Sequence, residues 1–180
     1  MTKFIKIFSI VILATILILV VVGMLAPKNT NFTKTQIIKG PISVVWRQVT
    51  DVESFPVWQL SVRKVILKDG RTPGEGNILQ FYMTDYDTAI YHEAEIIKVE
   101  DDKSFTFART SSTVTPLLRD YQTSYSLKRL LDGTTEISVT TSYRTVGFIS
   151  KIYNQIYLRG KLGSRAERNL AMLRDSIEKM

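Results

Sequence analysis

The stretch FISKIYNQIYLRGKLGSRAERNLAMLRDSIEK, Phe148 to Lys179, decides the fold. Within it Ile149, Ile152, Ile156, Gly163, Ala166, Leu170, Leu173 and Ile177 recur at spacings of three, four or seven. That is the period of one helix face. Lys151, Arg159, Lys161, Arg165, Arg168, Arg174 and Lys179 fall mostly off that line. The spacing predicts one long amphipathic helix. The hundred residues before it read mainly as strands, and a helix with a continuous apolar face needs a sheet to bury it. The expected fold class is α+β, a curved antiparallel sheet wrapped around this helix. Gly160 and Gly163 stand near its centre, where each costs roughly 1 kcal/mol relative to Ala. Two readings stay open for them. They mark a kink or a break between two helices, or the missing side chains leave room between helix and sheet.

Charge sharpens the picture. The net charge of +7 belongs to the two ends of the chain. Residues 1–31 hold Lys3, Lys6 and Lys28 without an acid, and residues 148–180 hold seven Lys and Arg against Glu167, Asp175 and Glu178. The remainder carries 14 basic and 14 acidic residues, so it is neutral. Nucleic-acid binding wants a basic stripe on the folded surface. The only candidate is the outer face of the last helix, which reads better as a solvated face near anionic lipid. No nucleic-acid partner is expected. The absence of cysteine excludes disulfides, thiolate metal sites and a Cys nucleophile.

At the other end, Ile7 to Pro27 contains no charged residue. Twenty such residues in a helix span roughly 30 Å, the thickness of a bilayer core. The apolar part of a signal peptide runs only about 7–15 residues. A cut after Ala26 would also set Met24 and Pro27 around the cleaved bond, both poor choices. The expectation is an uncleaved single-pass membrane helix, with residues 1–31 as anchor and linker and 32–180 as the globular domain. Lys3 and Lys6 tilt the positive-inside balance toward a cytoplasmic N-terminus. The domain would then lie on the outer, periplasmic or extracellular, side.

Between these ends, Phe32 to Ile38 reads as a strand stopped by Gly40-Pro41. A short helix follows, with Ile42, Val45, Trp46 and Val49 at helical spacing. Asp51 is placed to cap a further helical turn holding Phe55. Strands follow over 62–67, 77–84, 88–99, 104–110, 120–130 and 135–145, with turn signals at Asp69-Gly70, Pro73-Gly74-Glu75-Gly76, Asp101-Asp102-Lys103 and Asp132-Gly133. Alternation is clear in the last two. Tyr121, Thr123, Tyr125 and Leu127 share one face, as do Ile137, Val139, Thr141 and Tyr143.

The run Pro41-Ile42-Ser43-Val44-Val45-Trp46, followed by Thr50-Asp51-Val52-Glu53-Ser54-Phe55-Pro56-Val57-Trp58, resembles the opening of the START-like, or Bet v 1-like, superfamily. That group (SRPBCC) includes the polyketide cyclase/dehydrase and lipid transport proteins. Gly74-Glu75-Gly76, Asp132-Gly133-Thr134 and the closing Asn169-Leu170-Ala171-Met172-Leu173 are similar to it as well, so the resemblance covers about 32–178. It implies a helix-grip fold, in which a seven-stranded antiparallel sheet grips the C-terminal helix around an apolar cavity. It carries no catalytic residue over, because the superfamily has no shared catalytic motif. No cofactor is expected.

The candidate ligand-binding residues are Trp58, Phe81, Phe107, Tyr125, Tyr143, Ile156, Gly160 and Gly163. Aromatic residues, Trp46 and Phe105 among them, either line a cavity or simply fill a core. Thr and Tyr on the inner sheet faces favour a cavity, since buried hydroxyls need partners. His92, the only histidine, reads as a surface residue of a half-exposed strand; it lacks the second His or Cys that a zinc site wants. Glu93 and Glu95 read as neighbours on a solvated face. Arg109 reads as a side chain at the sheet rim. Asp85 and Asp87 lack the glycine and downstream Glu of a calcium loop, and no metal is expected. There is no phosphate loop, G-x-S-x-G elbow or G-x-G-x-x-G run. The partners expected are a membrane and a small hydrophobic or lipid-like molecule; an enzyme of the cyclase/dehydratase type is the alternative.

Overall fold

The computed structural model describes residues 2–68, 70, 72–85, 88–113 and 117–179. The chain opens with helix α1 (Thr2–Leu25). Strand β1 (Asn29–Ile38) leads into α2 (Ile42–Thr50), a 3-10 turn (Val52–Ser54) and the short α3 (Phe55–Trp58). Six strands follow: β2 (Val62–Leu67), β3 (Ile78–Asp85), β4 (Thr88–Glu100), β5 (Ser104–Ser112), β6 (Leu118–Arg129) and β7 (Thr135–Thr145). The C-terminal helix is continuous but not uniform. It runs as α4 (Phe148–Tyr153), a π turn (Asn154–Leu158) and α5 (Arg159–Glu178).

The strands form one seven-stranded antiparallel sheet in the order β1-β7-β6-β5-β4-β3-β2. From β2 to β7 each strand pairs with its successor in the chain, as short hairpins dictate. Only β1 pairs at long range, against β7 from Asn29–Arg144 to Ile38–Thr135. It begins three residues before Phe32, because backbone pairing recruits the polar Asn29-Thr30-Asn31 without needing an apolar face. The β6–β7 turn is set by Gly133, at a φ of 81° that Gly adopts freely, and by Asp132, which accepts from the Thr134 amide at 3.0 Å. Asp69 and Asp87, which figure in the turn and calcium readings, lie outside the described residues.

α5 lies on the inner sheet face, against β1, α2 and α3. Ala166, Leu170, Leu173 and Ile177 are buried there, as the periodicity predicts. They meet Ile38, Val45, Val49, Phe55, Trp58, Leu79, Ile96, Phe105 and Ile137 in one core. Each large apolar side chain so buried is worth roughly 1.5–3 kcal/mol. Asp51 caps the 3-10 turn, accepting from the Glu53 amide at 3.2 Å. The turn holds Phe55 and Trp58 edge to face, ring centres 5.2 Å apart.

The N-terminal half of the helix departs from the sequence expectation. Ile149 and Ile156 are 81% and 65% exposed, and the inward positions are Ser150 and Asn154. The π turn is the reason. It accommodates about one extra residue per turn, so the two halves are rotated against each other and the apolar spacing does not follow a single face. The irregularity falls at Asn154–Leu158, ahead of both glycines.

Candidate functional site

A cavity of about 120 Å³ lies between α5 and the inner face of β3 to β7. The strands contribute Phe81, Phe107, Tyr121, Tyr125 and Val139; α5 contributes Leu162, Arg165, Ala166 and Asn169; Gln59 and Leu60 close it from the end of α3. The aromatic wall is continuous. Phe81 stands 5.6 Å from Phe107, and Phe107 stands 6.3 Å from Tyr125, between ring centres. Trp58 is fully buried behind the wall, edge-on to Tyr125 at 5.7 Å.

Polar groups come from both the sheet wall and the helix side. Asn169 accepts from the Leu60 amide at 2.9 Å and ties the loop after α3 to the helix. Gln59 is 9% exposed. Its Nε2 is the one buried side-chain polar atom without a hydrogen-bond partner among the described residues. Burial raises the Tyr125 and Tyr121 phenols above their ordinary value, so both stay protonated.

His92 also reaches the cavity. It is the cross-strand partner of Phe81, and the two rings stack at 4.6 Å. Burial and the Arg109 charge lower the imidazole pKa to about 4, so it is neutral at pH 7. The surface position expected for it is therefore corrected. His92 shares strand parity with Ala94 and Ile96, both buried, and that parity was the available signal. Arg109 is half-buried rather than extended at a rim. It donates to the Leu118 carbonyl at 2.8 Å and lies 5.0 Å over the Tyr121 ring. Glu93 turns to the opposite face, accepting from the Tyr91 hydroxyl at 2.7 Å and from Gln80 at 2.9 Å. No group of three or more His, Asp or Glu among the described residues is placed to hold a metal ion.

Of the sequence candidates, Phe81, Phe107 and Tyr125 come together in the cavity wall. The other candidates do not join them. Tyr143 is buried elsewhere, where its hydroxyl donates to Asn154 Oδ1 at 2.6 Å and Asn154 Nδ2 donates to Thr30 Oγ1 at 2.9 Å. Ile156, Gly160 and Gly163 border a separate shallow groove on the β1 side, with Phe32, Thr33 and Lys34. A Cβ on Gly163 would sit 3.5 Å from the Lys34 side chain, and one on Gly160 would meet open space. The space those glycines leave is outside the cavity, because the helix crosses edge strand β1 at that point. Gln59, Leu162, Arg165 and Asn169 were not legible as site residues. The trace of three of them is a second stripe, Leu162, Arg165 and Asn169, at spacings of three and four beside the apolar one.

No family model matches the sequence, and no curated protein matches it. Solved structures do match in shape. The Zhui aromatase/cyclase from Streptomyces sp. R1128 superposes with a TM-score of 0.70 at 11% identity, covering 84% of this chain and 94% of that one. Ginseng major latex-like protein 151 from Panax ginseng gives 0.69 at 9% identity, covering 84% and 99%. A START superfamily protein from Mycobacterium smegmatis gives 0.64 at 11% identity, covering 83% and 97%. At such identities the likeness defines a fold, and this chain has the helix-grip fold of the START-like and Bet v 1-like proteins.

Proposed function

We propose that this protein is a membrane-anchored domain, beginning with β1, that holds a small amphipathic molecule in the cavity between sheet and α5. The observation that carries the reading is the unpartnered Gln59 amide at the edge of an aromatic-walled cavity. A buried donor without an acceptor costs about 1–3 kcal/mol, and a ligand carbonyl or carboxylate oxygen would supply the acceptor. Phe81, Phe107 and Tyr125 would take the apolar part. The volume suits one ring or a short acyl segment, being of the order of the ~150 Å³ cavity that admits benzene. The apolar helix Lys3–Leu25, long enough to cross a bilayer, supports the anchor. The basic Lys3 and Lys6 favour a cytoplasmic N-terminus with the domain outside.

A second reading, an enzyme of polyketide cyclase/dehydratase type, is favoured by His92. A neutral imidazole in the cavity wall is a proton acceptor of the kind such chemistry needs.

Native mass spectrometry of the purified full chain tests ligand binding. A bound small molecule is expected on the wild type and its loss is expected in Ala166→Leu, which fills the cavity from the helix side. A bare wild type, or an equally loaded and folded Ala166→Leu protein, would sink the reading.

A further inference from the structure

The last turns of α1 do not stand clear of the domain. Gly23 is buried against α4, so closely that a Cβ there would come within 2.5 Å of the Phe148 ring and 2.9 Å of Ile152. Leu19, Val20 and Val22 are half-buried in the same turns. α4 is thereby fixed beside the end of the apolar helix. The side of α4 and the π turn facing away from the sheet is apolar and uncovered. It presents Phe148, Ile149, Tyr153, Ile156 and Tyr157, each more than two-fifths exposed. Ile149 and Ile156 are the most exposed part of it. Tyr153 and Tyr157 lie beside it, rings 5.4 Å apart.

The sequence that forms this face is basic. Between Glu136 and Glu167 the chain has no acid; Arg144 is paired with Asp120 and Arg165 lines the cavity, which leaves Lys151 on α4 and Arg159 and Lys161 at the start of α5. Residues 1–50 have no acid either. Lys161 lies 5.8 Å over the Tyr157 ring, at the edge of the patch. An apolar helix face with aromatic residues and a basic border suits the headgroup boundary of an anionic bilayer.

We propose that this face of α4 and the π turn lies in the surface of the bilayer that α1 crosses, as a second membrane contact that holds the domain down on anionic lipid. The proposal rests on the reading of α1 as a membrane span. It gives the phase change at the π turn a use. The rotation that turns Asn154 inward to meet Tyr143 also turns Ile149 and Ile156 away from the core.

The cysteine-free chain makes the test direct, since each introduced cysteine takes a single nitroxide label. Full-length Ile149→Cys, Ile156→Cys, Ile12→Cys and Leu131→Cys proteins are reconstituted in vesicles of phosphatidylcholine with a minority of phosphatidylglycerol. Relaxation by oxygen and by a water-soluble nickel chelate is then compared. Leu131, fully exposed in the β6–β7 turn, is the aqueous reference. The oxygen-to-nickel ratio at positions 149 and 156 is expected to rise severalfold above that reference, toward the value at position 12. It should fall when the anionic lipid is omitted. Lipid-like values at 12 with water-like values at 149 and 156 would overturn this proposal alone. Water-like values at 12 would remove the membrane span and the proposal with it. Dipolar broadening between labels at 156 would show a second copy covering the face, and would also overturn it.

Discussion

At the scale of single residues, His92 has the most specific consequence. Burial and the nearby Arg109 charge hold its folded pKa at about 4, against about 6.5 in an unfolded chain. Between those values the unfolded chain binds a proton that the folded chain does not. Stability from this residue is complete above about pH 6.5 and is lost as pH falls toward about 4. For a half-buried ring the effect is roughly 1–3 kcal/mol once solvent screening is allowed for. Urea unfolding from pH 7 to 5.5, above the carboxylate range, should show the wild type losing stability and His92→Gln staying nearly level. Identical slopes in the two proteins would refute the inward position of the ring. The residue type alone did not reveal this. An imidazole in an alternating strand occupies either face, and only its parity with Ala94 and Ile96, taken with the Phe81 ring opposite, selects the inner one.

At the scale of elements, the C-terminal helix shows how far periodicity reaches. Ala166, Leu170, Leu173 and Ile177 were legible as a buried stripe, because regular α-helix carries a fixed phase over those three turns. Ile149 and Ile156 were misread as part of it, since a π turn changes the phase without any mark in composition. Asn154, an unpromising helix residue, is the nearest thing to a signal. Its buried bonds to Tyr143 and Thr30 hold the turn in place. The glycines acquire a different role accordingly. Neither borders the cavity, and an added Cβ meets open space at Gly160 and ordinary contact at Gly163. Gly160→Ala and Gly163→Ala should each stabilise the protein by roughly 0.5–1 kcal/mol through helix propensity and a less flexible unfolded chain. Bound ligand should be unchanged. Thermal unfolding and native mass spectrometry of the two variants check this; lost ligand in a stable Gly163→Ala protein would return that residue to the site.

At the scale of the whole molecule, the question is where the domain begins. The Lys28 carbonyl accepts from the Thr145 amide at 2.9 Å, and Asn29, Thr30 and Asn31 pair with β7. α1 meets the domain chiefly through α4. A chain beginning at Pro27 should therefore be soluble and unfold in one cooperative transition. A chain beginning at Phe32 should be less stable by roughly 1–3 kcal/mol, since it strands the buried Asn154 amide and removes the first β1 pairs. Comparison of their unfolding midpoints decides the matter, and equal midpoints would show that residues 28–31 are only a linker.

By itself the sequence determined the class of fold, the apolar N-terminal helix, the strand alternation of β6 and β7 and the C-terminal half of the gripping helix. These are local properties: a period of 2 or 3.6, an unbroken apolar run, a turn residue at a strand end. The tertiary structure alone decided which side chains meet. Gln59 and Asn169 are 110 residues apart in sequence yet share one cavity. Tyr143, Asn154 and Thr30 close one network from β7, the π turn and β1. Such meetings depend on register across the sheet and on helix phase. A single extra residue in one helical turn changes that phase while leaving the composition of the chain as it was.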